Sequence, residues 1–437
     1  MSEPRRHASR WAVAGATALV AALACTRIPV SAPAPAPAAE PDAGLAAATD
    51  AAGAADATAA SDATAAVAAD AGAFAVAYGD AALSASTGPD AAIATPPVRP
   101  PPPRWLKGST HVHAAPSGDS GTDVPSVIAW YESHGYDFIF LTDHNRVTRI
   151  DGAPRAGGAS VRFPDKGLLV LAGIELTYNP GACDPPPPEP DGKCRIHVNG
   201  LGVLTSPAGK IEWADRKATT RVGMYRAALQ WISVAGGLVQ LNHPQWHWGM
   251  TGELLAHLAG EGVRIVEIAN VQFARWNAGD GTHPSMERLW DAVLTAGGTM
   301  WGVASDDAHD YQADGGGKYP AGGAWIAVDA ARDPSAIVAA IAQGRFYAST
   351  GIALVRADVW DNALDVVVDA TGPGAAGAKH TIRFIGPGGQ VLAETRGTQA
   401  RYPFTSKLGY VRAVVERSDG ARAWVQPVRP GAHAGGH

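Results

Sequence analysis

The chain has 437 residues, with 51 Gly, 33 Pro, 14 His, 3 Cys and a formal net charge of −6, a length that favours two or three structural units. The charge is uneven, at +3 over residues 1–30, −7 over 31–103 and −2 over 104–437. The nearly neutral last segment has no basic stripe that could follow a phosphate backbone, which excludes general nucleic-acid binding. Three cysteines are too few for a scaffold built from disulfides.

The N-terminus has the layout of a secretory signal. Arginines precede a 14-residue apolar run over 11–24, which is too short to span a bilayer comfortably. The run ends in Ala-Leu-Ala followed by Cys25, which resembles the lipobox of bacterial lipoproteins, although that motif prefers Leu where Ala22 stands. We therefore predict a signal over 1–25 and a lipoprotein that faces the periplasm or cell surface, attached to the membrane only through its N-terminal lipid. A plain cleaved signal on a secreted or periplasmic protein and an uncleaved anchor are the alternatives.

Residues 26–103 form a predicted spacer. Within 31–103, 31 of 73 residues are Ala, and Arg99 is the single basic residue beside eight acidic ones. Such a segment buries too little apolar surface to offset the entropy cost of ordering it. We expect a disordered Ala/Pro-rich tether.

The two remaining cysteines, Cys183 and Cys194, bracket a Pro-rich insert, CDPPPPEPDGKC. In an oxidising compartment a disulfide between them would close a small loop. Metal ligation by these thiols is the alternative.

From residue 105, short apolar runs alternate with longer amphipathic ones, which predicts an α/β domain with a largely parallel sheet or barrel. The predicted strands are 109–113, 138–142, 168–176, 196–204, 237–242, 265–269, 300–304 and 324–328. The predicted helices lie near 124–134, 218–235, 251–259, 284–296 and 334–342. Alternating runs separated by turn signals over 352–429 predict several short strands of a small β-sandwich.

Histidines and carboxylates recur at the ends of the predicted strands, where functional groups of parallel α/β folds collect. His111 and His113 share one face of the first strand because they are two residues apart. The later residues of this kind are Asp119, His144, Glu175, His197, His243, Asp307 and His309. Imidazole and carboxylate ligands suit Zn, Mn or Fe, so the sequence predicts a site for divalent metal ions.

This ordered set resembles the PHP superfamily of metallohydrolases and, within it, the CehA/McbA group. The motifs that carry the resemblance are HxHxxxSxD over 111–119, TDHN over 142–145, GxE over 173–175, the single His197 and His243, DxH over 307–309, and GRFYASTG over 344–351. The resemblance covers about 104–351. It implies an irregular (β/α)7 barrel of PHP type over that range, followed by a small all-β, sandwich-like domain over 352–437.

The resemblance also implies two or three divalent metal ions (Zn, Mn or Fe) at the carboxyl face of the barrel. The implied ligand sets are His111, His113, Glu175 and Asp307 for a first ion; Asp119, His144 and His309 for a second; and Glu175, His197 and His243 for a third. We expect Asp143 and Asp306 to act as caps or as partners of the ligands. Arg345, Phe346 and Tyr347 have an expected packing role.

The activity implied is hydrolysis of phosphoesters by a metal-bridging hydroxide, with no Ser or Cys nucleophile and with Ser117 as a loop hydrogen-bonder. Asp119, His247 or a metal-bound water would protonate the leaving group. Hydrolysis of a carbamate or carboxylic ester is the alternative on the same site, because the CehA/McbA group includes a carbaryl hydrolase. A non-catalytic, metal-bearing surface module is a third hypothesis.

The expected partner is a small-molecule ester. The candidates for holding its anionic part are Arg146, Arg195, Lys318, His247 and Tyr311, each of which is otherwise a solvated side chain. Trp246 and Trp248 flank His247, and either an aromatic wall beside the metal ions or core packing would explain them.

Overall fold

The computed structural model describes residues 99–150, 162, 164, 166–312, 315–372, 374–404 and 408–430. The predicted signal, Cys25 and the predicted spacer up to residue 98 lie outside these residues. The described part is a mixed α/β structure with one large mixed sheet and a further antiparallel sheet. None of the helices in the described ranges is long and apolar enough to cross a membrane.

Sixteen strands and six α-helices make up the described part of the chain. The strands are β1 (Trp105–Val112), β2 (Phe138–Leu141), β3 (Leu169–Tyr178), β4 (Ile196–Leu201), β5 (Leu238–Leu241), β6 (Ile265–Asn270), β7 (Trp301–Ser305), β8 (Trp325–Asp329), β9 (Phe346–Ser349), β10 (Leu354–Trp360), β11 (Ala363–Val368), β12 (His380–Gly386), β13 (Gln390–Arg396), β14 (Gln399–Pro403), β15 (Val411–Arg417) and β16 (Arg422–Val428). The helices are α1 (Val124–Ser133), α2 (Arg221–Val234), α3 (Gly252–Gly260), α4 (Ala274–Ala278), α5 (Met286–Thr295) and α6 (Pro334–Ala342). All eight predicted strands and all five predicted helices are confirmed, and α4 was not predicted.

The helices begin where short polar side chains can accept hydrogen bonds from the first free backbone N–H groups. These N-cap residues are Asp123 for α1, Thr220 for α2, Thr251 for α3, Ser285 for α5 and Asp333 for α6. The short α4 has no such side-chain cap. The nearest cap is Asn270, which caps the 3-10 turn Val271–Phe273 that leads into α4.

The large sheet has 13 strands in the order β13-β12-β15-β16-β9-β8-β1-β2-β3-β4-β5-β6-β7. Strands β1 to β3 are parallel, as are β5 to β7, but β4 runs antiparallel to both of its neighbours. The expectation of a largely parallel sheet is therefore wrong at β4 and also at β8, which runs antiparallel to β1 and to β9. The connection from β3 to β4 contains no helix, which is the usual crossover between parallel strands.

An isolated parallel bridge joins the two ends of the strand series that runs from β1 to β7. Val112, the last residue of β1, pairs with Ala308, which follows β7. The backbone N–H of His113 donates to the carbonyl of Ala308 at 3.0 Å. The residues after β7 therefore lie beside the end of β1, although these strands are far apart in the hydrogen-bonded order.

The strands of the GRFYASTG motif and of the C-terminal region continue the large sheet. Strand β9 pairs with β8 on one side and with β16 on the other. Phe346 and Tyr347 are buried, which confirms their packing role, whereas the expected packing of Arg345 is wrong, because this side chain is exposed and donates to the carbonyl of Asp329 at 2.6 Å. Gly344 precedes β9 with φ +72°, and a Cβ there would lie 2.6 Å from the Trp301 ring, so a side chain would be strained at this turn.

The second sheet, in the order β10-β11-β14, shares an apolar core with the C-terminal half of the large sheet. Leu364 and Val366 of β11 pack in this core with Phe384 of β12 and Val415 of β15. Ahead of β1, Arg99 forms a 2.8 Å ion pair with Asp365 of β11. The last residues of the predicted spacer therefore lie against the second sheet.

Candidate metal centre

His111 and His113 lie at the end of β1, and both side chains are fully buried. Their ring centroids are 5.0 Å apart, because residues two apart in a strand share a face. Ser117 supports this end of the strand. Its Oγ lies 3.0 Å from His113 Nδ1 and accepts from the backbone N–H of His144 at 3.1 Å, as expected of a loop hydrogen-bonder.

His144 is placed by a tight turn after β2. Asn145 in this turn has φ 50°, a left-handed conformation that Asn tolerates. The side-chain amide of Asn145 donates to the carbonyl of Thr177 and accepts from its N–H, which fastens the turn to β3. As a result, His144 Nδ1 lies 2.5 Å from Glu175 Oε2, and His144 Nε2 lies 2.9 Å from Asp119 Oδ2.

Glu175 is the centre of the arrangement. It lies in the otherwise apolar β3 and is fully buried. Five histidine side chains surround its carboxylate with N–O distances of 2.5 to 3.7 Å: His111, His113, His144, His197 and His243. A buried carboxylate is costly without compensating partners, and here the partners are ligand-type imidazoles.

His197 and His243 approach Glu175 from the two neighbouring strands. Because β4 is antiparallel, the beginning of this strand lies at the carboxyl end of β3, and His197 pairs with Thr177 in the register. His243 follows β5 with φ 26°, a strained conformation for a residue other than Gly. Such strain persists where surrounding contacts hold it, and it clusters at functional sites.

Asp307 and His309 come from the segment after β7. Asp307 also has a left-handed backbone, with φ 49°. Its Oδ1 lies 3.1 Å from both His111 Nε2 and His113 Nε2. The His309 ring stacks on His113 at 4.2 Å, and His309 Nε2 lies 3.3 Å from Asp119 Oδ2.

The nine predicted ligands therefore come together in four overlapping groups, in each of which the ligand atoms lie within 4.8 Å of one another. The groups are His113, Asp119, His144 and His309; His111, His243 and Asp307; His111, His113 and Glu175; and Glu175, His197 and His243. The second and third implied ligand sets each lie within one group, whereas the first is divided between two groups. Asp119 differs from the other eight because its side chain is 49% exposed.

The donor atoms fit a metal ion. His111 Nε2 and His113 Nε2 are buried and form no hydrogen bond with the described residues, although each lies 3.1 Å from Asp307 Oδ1. The 3.1 Å distances to Asp307 Oδ1 are short enough for hydrogen bonds, so it is the direction of approach to the imidazole nitrogens that does not suit one. Because buried polar atoms are rarely left unpaired, two such imidazole nitrogens beside a carboxylate suit a cation as their partner. These buried groups could hold divalent metal ions.

The carboxylates of the cluster are held in their ionised form. Burial alone would raise the pKa of Glu175, but the charge on His144 outweighs it and holds this pKa well below its usual range. Burial likewise opposes ionisation of Asp307, yet the charge on His111 lowers the pKa of that carboxyl. Both carboxylates are therefore ionised, the form in which they can ligate a cation.

The pKa values of the histidines are lowered in some cases and raised in others. Burial lowers the pKa of His113 to about 3 and that of His197 to about 4, so both rings stay neutral and free to ligate. Burial would also lower the pKa of His144, but the charge on Glu175 raises it to about 10. Because ligating imidazoles must be deprotonated, a metal ion would displace such a proton.

One residue behind the cluster was missed from the sequence. Glu267 in β6 is fully buried, and its Oε1 lies 2.7 Å from His111 Nδ1, while its Oε2 accepts from the backbone N–H of His243 at 2.6 Å. A carboxylate on the far nitrogen of a ligating His orients the ring and selects its tautomer. The available signal was a charge inside an apolar strand, the same signal that identified Glu175.

Asp143 and Asp306 lie beside the ligands without joining the four groups. Asp143 Oδ1 accepts from the backbone N–H of Ala114 at 2.7 Å, and Asp306 Oδ2 accepts from the N–H of Gly322 at 2.5 Å. Burial raises the pKa of Asp143 to about 6 and that of Asp306 to about 7. Both therefore act as caps of the segments that carry the ligands, as expected.

His247 lies at the rim, four residues beyond His243. Its Nδ1 lies 2.7 Å from Glu189 Oε2, and its backbone is left-handed with φ 56°. Glu189 belongs to the loop that Cys183 and Cys194 close, because these cysteines form the expected disulfide with a Cα–Cα distance of 6.0 Å.

The candidate anion-binding and aromatic residues lie in different surroundings. Arg195 lies over the Trp246 ring, and Trp246 packs against ligand histidines. Trp248 is buried and stacks on His283 at 4.3 Å, so it packs in a different place. The Tyr311 hydroxyl donates to the main chain, to His113 O at 2.6 Å, and therefore supports β1 rather than a substrate.

Arg146 and Lys318 are the two remaining candidates. The Nε atom of Arg146 is buried and has no hydrogen-bond partner among the described residues. Lys318 places its Nζ 4.6 Å from the centroid of the Tyr319 ring.

Comparison with protein-family models and with curated proteins finds no match for this chain. Its function is therefore inferred from its own residues and their geometry.

Proposed function

We propose that this chain is a metal-dependent hydrolase of phosphoesters, a PHP-type enzyme of the CehA/McbA-like group. The observation that carries the proposal is the cluster of six histidines and three carboxylates gathered around Glu175. Four overlapping groups of ligand atoms would accommodate two or three ions, and imidazole with carboxylate favours Zn, Mn or Fe.

The fold in this proposal is an irregular (β/α)7 barrel of PHP type, built from β1 to β7, with a sandwich-like C-terminal part. The bridge between Val112 and Ala308 supports it, because it brings the segment after β7 back to β1. The core shared by the β10-β11-β14 sheet and the C-terminal strands of the large sheet supports the second part.

Divalent ions in this centre would supply Lewis acidity and lower the pKa of bound water toward about 7. The protein itself holds the donors in place. Glu267 fixes the His111 ring through Nδ1, and Asn242 donates to Glu175 Oε1 at 2.9 Å. The Ser117 hydroxyl is engaged by His113 and by the backbone of the His144 turn, so it is not a free nucleophile.

His247 is the residue that we assign to protonate the leaving group. Asp119 is engaged by His144 and His309 and belongs with the ligands. Glu189, by contrast, accepts a hydrogen bond from His247 Nδ1 and orients the ring, so that Nε2 of the protonated ring can donate its proton to the leaving group and leave a neutral imidazole.

We also propose that the protein is exported, as a lipoprotein or a periplasmic protein, and acts on a small-molecule ester. The disulfide between Cys183 and Cys194 supports export, because disulfides persist in oxidising compartments. The absence of an overall positive charge supports a small substrate rather than nucleic acid.

The test uses the purified full chain, stripped of metal and reconstituted with Mn²⁺ or Zn²⁺, on p-nitrophenyl phosphate, bis-p-nitrophenyl phosphate and a naphthyl carbamate. We expect metal-dependent phosphoester hydrolysis that is lost in the double variant His111→Ala/Asp307→Ala. A matched control is His134→Ala/Asp215→Ala, because both residues are exposed.

Each other outcome changes the proposal in a defined way. Phosphatase activity that survives in the ligand variant would refute the site. Hydrolysis of the carbamate alone would make the protein a carbamate or carboxylic ester hydrolase. Bound metal without activity on any ester would favour a non-catalytic surface module.

A further inference from the structure

Arg195 is positioned beside the metal cluster by the strand that carries a ligand. It stands immediately before β4 and precedes His197 by two residues. Its guanidinium carbon lies 4.7 Å from the centroid of the Trp246 ring. Trp246 packs edge-on against two ligands, at 5.7 Å from His197 and 5.4 Å from His243.

A second cation repeats this arrangement beside another ligand, His309. Lys318 Nζ lies 4.6 Å from the centroid of the Tyr319 ring, and that ring lies 5.4 Å from the His309 ring. His309 belongs to the group with Asp119, whereas His197 and His243 belong to the group with Glu175. Two cations are therefore supported by aromatic rings that themselves pack on ligand histidines.

Neither cation has a carboxylate partner. Within the described residues, no Asp or Glu oxygen lies within 4.0 Å of the charged nitrogens of Arg195 or Lys318, and Arg195 Nε is buried without a hydrogen bond. Arg275 at the same rim differs, because it pairs with Glu189 at 2.9 Å. A guanidinium left without a partner is available for a bidentate contact with a ligand anion.

The loop before Arg195 is fastened at two points, which limits the movement of this side chain. The disulfide joins Cys194, the preceding residue, to Cys183. Glu189 within the loop contacts the rim through His247 at 2.7 Å and through Arg275. A preorganised side chain loses little conformational entropy when it binds a ligand.

We propose that Arg195, assisted by Lys318, binds the anionic part of the substrate, and that the substrate class is phosphomonoesters. This inference rests on the proposed hydrolase function. A phosphomonoester carries a charge of about −1.5 to −2 at pH 7, so it gains more from two cations beside the metal ions than a singly charged diester does. A neutral carbamate gains nothing from either cation.

The experiment measures inorganic phosphate binding to the Mn²⁺-loaded full chain by titration calorimetry, together with KM for p-nitrophenyl phosphate and bis-p-nitrophenyl phosphate. We expect Arg195→Gln to weaken phosphate binding about 10- to 100-fold, because a hydrogen-bonded charge is lost. Because the Lys318 side chain is exposed, Lys318→Gln should weaken phosphate binding only about threefold. Arg396→Gln is the control, because Arg396 is exposed in β13 and has no ion pair within the described residues.

Arg195→Lys distinguishes recognition from folding, because it keeps the charge but loses the bidentate contact. It should bind phosphate with an affinity between those of the wild type and Arg195→Gln, with an unchanged melting temperature. In both Arg195 variants, the KM for p-nitrophenyl phosphate should rise more than the KM for bis-p-nitrophenyl phosphate.

Failure of this inference can be told apart from failure of the proposed function. Phosphate binding that is undetectable in the wild type, or equal in the wild type and Arg195→Gln, overturns the anion site even if esters are hydrolysed. Phosphate binding that depends on Arg195 in a protein inert toward every ester supports the anion site and rejects the hydrolase.

Discussion

Replacement of Glu267 by Gln tests whether a residue outside the ligand set controls the metal centre. The change keeps the size of the side chain and removes its charge. Oε1 accepts from Ser305 Oγ at 2.5 Å and lies 2.7 Å from His111 Nδ1, while Oε2 accepts from His243 N at 2.6 Å and from Asn270 Nδ2 at 3.0 Å. An amide NH2 placed at either oxygen position therefore faces a buried donor.

The expected size of the effect follows from this geometry. A buried donor left without an acceptor costs about 1–3 kcal/mol, and at least one donor loses its acceptor whichever way the amide turns. If the donor that loses its acceptor is His111 Nδ1, the side chain at position 267 no longer holds the His111 ring in the orientation and tautomer that leave Nε2 free to bind metal. Loss of such a supporting contact weakens metal binding about 10- to 100-fold.

The assay is Zn²⁺ or Mn²⁺ affinity by competition with a chromophoric chelator, with urea unfolding of the metal-free protein measured separately. Glu253→Gln is the matched control, because Glu253 is exposed in α3. A metal affinity of Glu267→Gln within twofold of the wild type would refute the reasoning, provided that Asp307→Asn in the same assay loses binding.

Three further outcomes are expected. Asp291→Ala should lower the free energy of unfolding in urea by about 3–5 kcal/mol, because the buried Arg412 loses two 2.7 Å hydrogen bonds and keeps only a 3.3 Å contact with Glu287; a loss below 1 kcal/mol would contradict this. Metal at 100 times its Kd should raise the free energy of unfolding of the wild type by about 2.7 kcal/mol, measured by thermal unfolding. The same metal concentration should stabilise Asp307→Asn much less, and equal stabilisation of the two proteins would argue against the site. The double variant Cys183→Ser/Cys194→Ser opens a loop of sequence separation 11 and should lower the free energy of unfolding by about 3 kcal/mol in the same urea assay. No change in this free energy would indicate that the loop is already ordered by its other contacts.

Local patterns were sufficient to predict most of the elements. The apolar runs at β2, β3 and β6 and the caps at Asp123 and Ser285 mark their own strands and helices, because periodicity and capping act over a few residues. The helix α4 and the direction of β4 were not predictable in this way. Strand direction depends on which neighbours pair, and no local propensity encodes that choice.

By itself, the sequence determined the order of the ligand motifs and the chemical type of the site, because imidazoles and carboxylates at the ends of apolar runs carry their chemistry wherever the chain takes them. Only the tertiary structure decided which of these groups share a centre. It placed Glu267 against His111, 156 positions away, and brought five histidines around Glu175. The physical reason is that contacts of this kind follow from strand pairing and from the packing of one buried core, and these depend on the whole chain rather than on any one segment.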